Sequence, residues 1–145
     1  MEIYTIGFTQ TTAERFFGRL ADARIRRLID VRLHNTSQLA GFAKAADLPY
    51  FLRELVGASY EHQPLLAPTQ PLLDAYKKRK GEWAPYERDF LNLLAQRRID
   101  EQLYPGAFEQ RVALLCSEAT AERCHRRLVV EFLAVRWGNV HAVHL

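Results

Sequence analysis

Reactive side-chain types are concentrated in one stretch of the chain, residues 111–133. A short apolar run there ends in residues 116–118 (CSE), and residues 124–127 (CHRR) follow soon after. Thiolates are nucleophiles and metal ligands, imidazole exchanges protons near neutral pH, and guanidinium groups bind phosphate or carboxylate in a bidentate manner. This combination of types indicates a site that performs chemistry on an anionic ligand.

A strand followed by a helix is predicted to carry these side chains. Residues 112–115 (VALL) are apolar, too few for a helix and bounded by polar residues, which is typical of a buried parallel strand. Thr120 is the predicted N-cap of the helix that follows. Its apolar side is expected to contain Leu128, Val129, Phe132 and Leu133.

The rest of the chain predicts an α/β fold. Apolar and β-branched patterns favour strands at residues 2–8, 27–33, 58–62 and 140–145. Helices are predicted after Thr11 or Thr12, over residues 47–56 and 72–78, and from Pro85 to about Leu103. A strand–helix–strand unit within the first thirty-five residues favours parallel pairing. We therefore expect a three-layer, Rossmann-like α/β fold with a mostly parallel sheet of four or five strands flanked by helices.

Composition limits the class of protein. The chain has 145 residues, 48% of them apolar and 26% charged, which predicts a single domain spanning residues 1–145. It lacks the apolar run of about 18 residues that a membrane span requires, so no membrane association is expected. The N-terminus has no signal-peptide pattern, and only two cysteines are present, so we expect a cytoplasmic protein with free thiols.

Polar residues are expected to meet at one edge of the sheet. In parallel sheets, ligands bind beyond the carboxyl ends of the strands. Gly7 ends the first predicted strand, Asp30 and Arg32 lie near the end of the second, and Cys116 and Glu118 end the fourth. Residues two apart face the same side of a strand, so Asp30 is expected beside Arg32, and Cys116 beside Glu118. A purely structural role is the alternative for several of these residues. Asp30 and Arg32 would form an ion pair and Cys116 would be a small core residue, whereas His125 and Arg126 would be surface residues of the helix.

Several motifs together resemble the DUF488 family of small bacterial and archaeal proteins. They are TIGF near the start, DVR in the second strand, NTSQLAGF, LLCSE, CHRR and a closing VHL. The resemblance implies a compact α/β domain. Many members have proline and serine after DVR, where this chain has HNTS at residues 34–37. The recurring polar residues of the family correspond here to Gly7, Asp30, Arg32, Ser37, Phe42, Cys116, Glu118, Cys124, His125 and Arg126.

The first functional hypothesis is an enzyme that acts on a phosphorylated small molecule, a nucleotide or a nucleic-acid fragment. Arginine side chains and a helix N-terminus would hold the phosphate, a carboxylate or histidine would move the proton, and a cysteine thiolate is a possible nucleophile. The expected catalytic residues are Asp30, Glu118, Cys116 and His125, and the expected ligand-binding residues are Gly7, Arg32, Ser37, Cys124 and Arg126. The residues do not identify a cofactor.

Two alternatives remain. A nucleic-acid-binding module without catalysis would stack bases on Tyr76, Trp83 and Tyr86. Its basic surface would be formed by residues 77–80, Arg97, Arg98, Arg123, Arg126 and Arg127. A thiol or metal-dependent redox protein would use Cys116 and Cys124 with His125, and Glu118 would be the further ligand of a zinc ion. Against a metal site, Cys124 and His125 would point about 100° apart on a helix. The C-terminal strand could also serve as the edge of a homodimer.

Overall fold

The central sheet has five strands, all parallel. The structure, a computed structural model, describes residues 1–36 and 40–145, and the elements below belong to that part of the chain. Strand order across the sheet is β3-β2-β4-β1-β5. The elements are β1 (Glu2–Gly7), α1 (Ala13–Asp22), β2 (Arg27–Asp30), α2 (Leu48–Leu55), β3 (Ser59–His62), α3 (Gln70–Lys77), α4 (Trp83–Gln96), α5 (Ile99–Gln102), β4 (Val112–Cys116), α6 (His125–Trp137) and β5 (His141–His144).

Helices cover both faces of the sheet, which confirms the predicted three-layer α/β fold. Side chains alternate between the two faces along each strand. On β4, Leu114 and Cys116 belong to the apolar core that includes Phe90 of α4 and Leu128 of α6. Leu115 belongs instead to the core formed with α1 and α2. Cys116 therefore points toward the helix that begins at His125.

The register brings the ends of three strands to one edge of the sheet. Gly7 at the end of β1 lies opposite Cys116 at the end of β4. Asp30 at the end of β2 lies opposite Leu115. Because all the strands run the same way, the loops that follow them leave the sheet on a common side, where ligands usually bind. Among the described residues, no helix combines the length and apolar character needed to cross a membrane.

The prediction of the last helix was wrong at its start. Thr120 is not the N-cap, because residues 117–124 form a loop and α6 begins at His125 after Cys124, which has extended backbone angles. The loop is held against the sheet by Arg126, whose Nη1 donates a 2.5 Å hydrogen bond to the Glu118 carbonyl oxygen. A helix starting near Thr120 would remove this buried guanidinium from its partner.

The long helix expected from Pro85 to about Leu103 is interrupted. α4 ends at Gln96, and Arg98 adopts a left-handed conformation with φ of 56° before α5 begins. Arg97 donates a 2.6 Å hydrogen bond from Nη1 to the Ala67 carbonyl oxygen, which ties the break to the loop before α3. The apolar periodicity of residues 85–103 is helical throughout, so the sequence pattern does not predict this turn.

Candidate functional site

A cavity of about 350 Å³ opens beyond the ends of β2 and β4. Its lining contains reactive, cationic and aromatic side chains in one space. A larger cavity, of about 700 Å³, lies beside the start of β1, but no cysteine or histidine is among its described lining residues. We therefore take the smaller cavity as the candidate site. Its principal side chains are Cys116, Cys124, His125, Glu118, Arg32, Lys77, Arg123, Tyr76, Trp83 and Tyr86.

Cys116 and His125 form a pair at the inner wall of this cavity. The Sγ atom of Cys116 lies 3.5 Å from Nδ1 of His125. Nε2 of the same ring lies 2.6 Å from the carbonyl oxygen of Val31, which can only accept a hydrogen bond. Nε2 must therefore carry a proton, and in the neutral ring Nδ1 is the nitrogen that accepts one. The Phe90 ring meets the imidazole edge-on at 5.4 Å and helps to hold its orientation. The imidazole is thus set to take the thiol proton of Cys116.

The surroundings favour a thiolate at Cys116. A hydrogen bond from the Cys124 thiol lowers the pKa of Cys116, and the backbone amides of Ser117 and Glu118 and the charge of Arg126 add to this effect against desolvation. The same hydrogen bond, together with burial, raises the pKa of Cys124. The sequence left open which thiol would be the nucleophile, and the opposite pKa shifts of the two cysteines separate them. Cys116 is the stronger candidate for the nucleophile.

Gly7 and Arg126 support the loop rather than line the cavity. A Cβ atom at Gly7 would lie 1.7 Å from the carbonyl oxygen of Glu118, so the loop after β4 can pack here only against a glycine. Arg126 is 1% exposed and bonds the Glu118 carbonyl and Thr5 Oγ1. Thr9 adds hydrogen bonds from its backbone N–H and its hydroxyl to the Ser117 carbonyl oxygen. These contacts fix the amides that face Cys116.

Asp30 and Arg32 form a buried ion pair in which both carboxylate oxygens accept hydrogen bonds. Asp30 is completely buried, and Arg32 is 3% exposed. Both carboxylate oxygens accept from the guanidinium, at 2.9 and 2.8 Å, and Tyr60 donates a further 2.7 Å hydrogen bond. Burial, followed by this contact with Asp30, raises the pKa of Tyr60. Arg32 lines the cavity and Asp30 does not, so the carboxylate orients a guanidinium that a ligand can reach.

Glu118 is part of an ion pair on the cavity wall. Its carboxylate lies 2.6 Å from Nζ of Lys77, and both side chains are more than two-fifths exposed. Burial lowers the pKa of Lys77, but the contact with Glu118 outweighs it and the net shift is upward. The carboxylate was expected on the same side as Cys116, and both do line the cavity.

The structure thus brings most of the predicted site residues to one cavity, and it divides them into residues that line the cavity and residues that support its wall. Ser37 lies outside the described residues. Lys77, Trp83 and Tyr86 were assigned from sequence only to a nucleic-acid surface, yet they share the cavity with the thiol and the imidazole. Tyr60 was missed. Its place beside Asp30 in the parallel register of β2 and β3, opposite Leu28, is a long-range contact without a local sequence signal.

The fold and site define a parallel three-layer α/β protein with a buried cysteine–histidine pair at the carboxyl edge of its sheet. Residues 12–133 match the family model described as domain of unknown function DUF488. The match covers most of the chain, so the chain belongs to this family, and the resemblance seen in the sequence motifs is confirmed. No curated protein and no solved structure matches the chain.

Proposed function

We propose that this protein is an enzyme that uses the thiolate of Cys116 to transfer a phosphoryl group from a phosphorylated small molecule. The observation that carries the proposal is the 3.5 Å approach of Cys116 Sγ to His125 Nδ1, with Nε2 held by the Val31 carbonyl oxygen. A nucleophile, a base within reach and a group that orients the base form the arrangement that activates cysteine in catalysis.

Cationic side chains on the cavity wall favour an anionic substrate. Arg32, Lys77 and Arg123 line the same space as Cys116. Arg32 binds Asp30 and Ala43 through Nε and Nη2, and its Nη1 makes no hydrogen bond among the described residues. A guanidinium held in this way can offer its remaining N–H groups to a phosphate oxygen without losing its buried partner.

Aromatic side chains in the cavity favour a substrate with a planar ring, such as a nucleotide. Tyr76 and Tyr86 stack with ring centroids 4.8 Å apart, and Trp83 lies 5.3 Å from Tyr86. Tyr76 and Trp83 are partly exposed, and all three line the cavity. Stacking of a base on aromatic rings contributes about 1–3 kcal/mol per base. Among phosphorylated molecules, a nucleoside phosphate therefore fits this wall better than a sugar phosphate.

The proposed reaction has two steps. Cys116 first gives its proton to His125 Nδ1, and the thiolate attacks the phosphorus of a phosphate monoester. An S–P bond forms as the P–O bond to the alcohol breaks, and the alcohol oxygen takes the proton from the imidazolium. Water then attacks phosphorus, the S–P bond breaks, and inorganic phosphate leaves while the imidazole takes the proton of the water. Thiolate and imidazolium are restored.

Phosphate release from a substrate panel tests the proposal. The panel contains nucleoside monophosphates, sugar phosphates, an aryl phosphate and short 5′-phosphorylated oligonucleotides, each at two salt concentrations. We expect release from a nucleoside monophosphate, at least about 1,000-fold slower in Cys116→Ser, and a phosphocysteine trapped by acid quench in the wild type. His125→Asn should show a comparable loss.

Two results would overturn this function. One is undiminished phosphate release by Cys116→Ser protein, which would require another nucleophile. The other is salt-sensitive oligonucleotide binding without phosphate release from any compound, which would favour the non-catalytic nucleic-acid-binding alternative. Gly18→Ala is the matched control, because a Cβ atom on this α1 residue meets no atom within 4 Å.

A further inference from the structure

Three soft or borderline metal ligands converge at the inner wall of the cavity. The ligand atoms of Cys116, Cys124 and His125 all lie within 4.8 Å of one another, and all three residues are buried. We propose that these side chains bind one thiophilic divalent cation of the zinc class. Two sulfur atoms and one imidazole nitrogen are a donor set that suits zinc and disfavours magnesium or calcium.

The spacing of the ligand atoms fits tetrahedral zinc. Bonds of about 2.3 Å to sulfur and about 2.0–2.1 Å to nitrogen, at tetrahedral angles, place sulfur and nitrogen about 3.5 Å apart. Cys116 Sγ and His125 Nδ1 are separated by 3.5 Å. That edge of the tetrahedron is already in place, and Cys124 lies within reach of both other ligands.

Contacts around the three ligands match those of bound metal sites. His125 Nε2 donates to the Val31 carbonyl oxygen at 2.6 Å, which leaves Nδ1 as the metal-binding nitrogen. A ligating histidine nearly always donates its other N–H in this manner. Arg126 Nη1 lies 3.8 Å from Cys124 Sγ, where its positive charge favours a second thiolate in a buried site. Binding releases the thiol protons to solvent as two metal–sulfur bonds and one metal–nitrogen bond form.

The start of α6 removes the geometric objection to this site. Neighbouring residues on a helix would point about 100° apart, which argued against joint ligation by Cys124 and His125. Cys124 precedes the helix, with φ of −136° and ψ of 137°, and His125 is the first helical residue. The extended residue turns its side chain toward Cys116 instead of following the helical phase.

Cation binding is separate from the proposed function and acts against it. All three ligands line the cavity, so a cation bound to them would lie beside the space assigned to substrate. A sulfur bound to the cation shares its negative charge with the metal and is a weaker nucleophile than the free thiolate. We therefore expect the cation to be an inhibitor of any reaction in which Cys116 is the nucleophile.

Cobalt titration of the metal-free, reduced protein tests the site directly. Wild-type protein should bind one Co²⁺ per chain, with a thiolate-to-cobalt charge-transfer band and the visible bands of tetrahedral cobalt. Zn²⁺ should bleach both. Cys124→Ser removes one direct ligand of the cation. Loss of a residue that only hydrogen-bonds a ligand weakens metal binding by about 10–100-fold, so loss of a ligand itself should weaken binding by at least about 100-fold. Absence of the charge-transfer band at equimolar Co²⁺, or an unchanged band in folded Cys124→Ser protein, overturns the site.

Alkylation separates the failure of this site from the failure of the proposed function. Iodoacetamide labelling of Cys116 is measured by peptide mass spectrometry with and without equimolar Zn²⁺. Zinc should slow labelling at least tenfold in the wild type and should have little effect in Cys124→Ser. Labelling that is fast without metal and unaffected by zinc would overturn the cation site and leave the nucleophile in place. The nucleophile itself is tested by phosphate release from metal-free protein.

Discussion

Two buried polar clusters lie at the same edge of the sheet and differ in how completely their groups are paired. In the first, both oxygens of Asp30 are bonded to Arg32, and Tyr60 adds a further bond. In the second, Cys116 faces His125 at 3.5 Å, a weak contact whose proton can move. A saturated carboxylate has no free acceptor for a substrate proton, whereas a thiol beside an imidazole does. We therefore assign the first cluster to structure and the second to chemistry.

The largest effect should come from breaking the saturated cluster. Asp30→Ala leaves Arg32 as a buried charge without its partner, and we expect a loss of about 3–5 kcal/mol in the free energy of unfolding. The double variant Asp30→Ala/Arg32→Met should recover part of that loss. Cys116→Ser, in the other cluster, should cost no more than about 1.5 kcal/mol. Urea denaturation measures all three variants. A stable Asp30→Asn protein without phosphate release would instead make Asp30 a catalytic residue.

A substitution at Gly7 tests whether the loop after β4 holds the backbone amides that lie beside Cys116. A Cβ atom at Gly7 would meet the Glu118 carbonyl oxygen at 1.7 Å, so Gly7→Ala must displace the loop. We expect destabilisation of about 3 kcal/mol, at the upper end of the overpacking range, and slower alkylation of Cys116 because the amides of Ser117 and Glu118 move away. Gly18→Ala on α1 is the control and should stabilise the protein by up to about 1 kcal/mol. Equal stabilities of the two variants would show that the loop adapts freely.

Breaking the exposed ion pair between Lys77 and Glu118 should change the affinity for phosphate by a smaller amount, in a direction that follows from the charges. Glu118→Gln frees Lys77 from its partner and should tighten the binding of inorganic phosphate by up to about fivefold, the size expected for an exposed pair. Lys77→Met should weaken it. Thermal shift or calorimetry with phosphate measures both, and kinetics separate KM from kcat. A loss of kcat in Glu118→Gln without tighter binding would assign Glu118 to proton transfer.

The smallest effect should appear at His144 on the edge strand β5, which contacts Arg126 through Thr5. Arg126 Nε donates to Thr5 Oγ1, and the Thr5 hydroxyl lies 2.6 Å from Nδ1 of His144. Burial first, then the charges of Arg126 and Arg127, lower the pKa of His144 below 6.5, against a smaller opposite effect of Glu131.

Stability linked to a lowered histidine pKa is complete above the unfolded value and is lost as the pH falls through the folded value. We therefore expect a small decrease in Tm as the pH falls below about 6.5, the ordinary histidine pKa. His144→Gln should reduce this dependence, because glutamine does not titrate. An identical pH profile in the variant would show that His144 does not contribute.

The sequence by itself determined the layers and the composition of the site. Strand periodicity and the short connections predicted a parallel α/β sheet, and parallel strands necessarily bring their carboxyl ends to one edge. That rule was enough to group Gly7, Asp30 and Cys116 before any contact was known. Side-chain alternation likewise paired Asp30 with Arg32. These are local or topological consequences of the chain, so they can be read from residue types and spacing.

Only the tertiary structure decided which polar groups are free for chemistry. The last hydrogen bond to the Asp30 carboxylate comes from the phenol of Tyr60 on β3. The carbonyl oxygen that orients His125 belongs to Val31, which follows β2. Residues 117–124 form a loop rather than a helical turn, because Arg126 and Gly7 hold it against the sheet. Tyr60, Val31 and Gly7 are distant in sequence from the residues they contact, and hydrogen-bond saturation depends on burial and distance in the folded chain. The pattern of residue types therefore located the site. Packing decided which of its polar groups are fully hydrogen-bonded and which remain available to react.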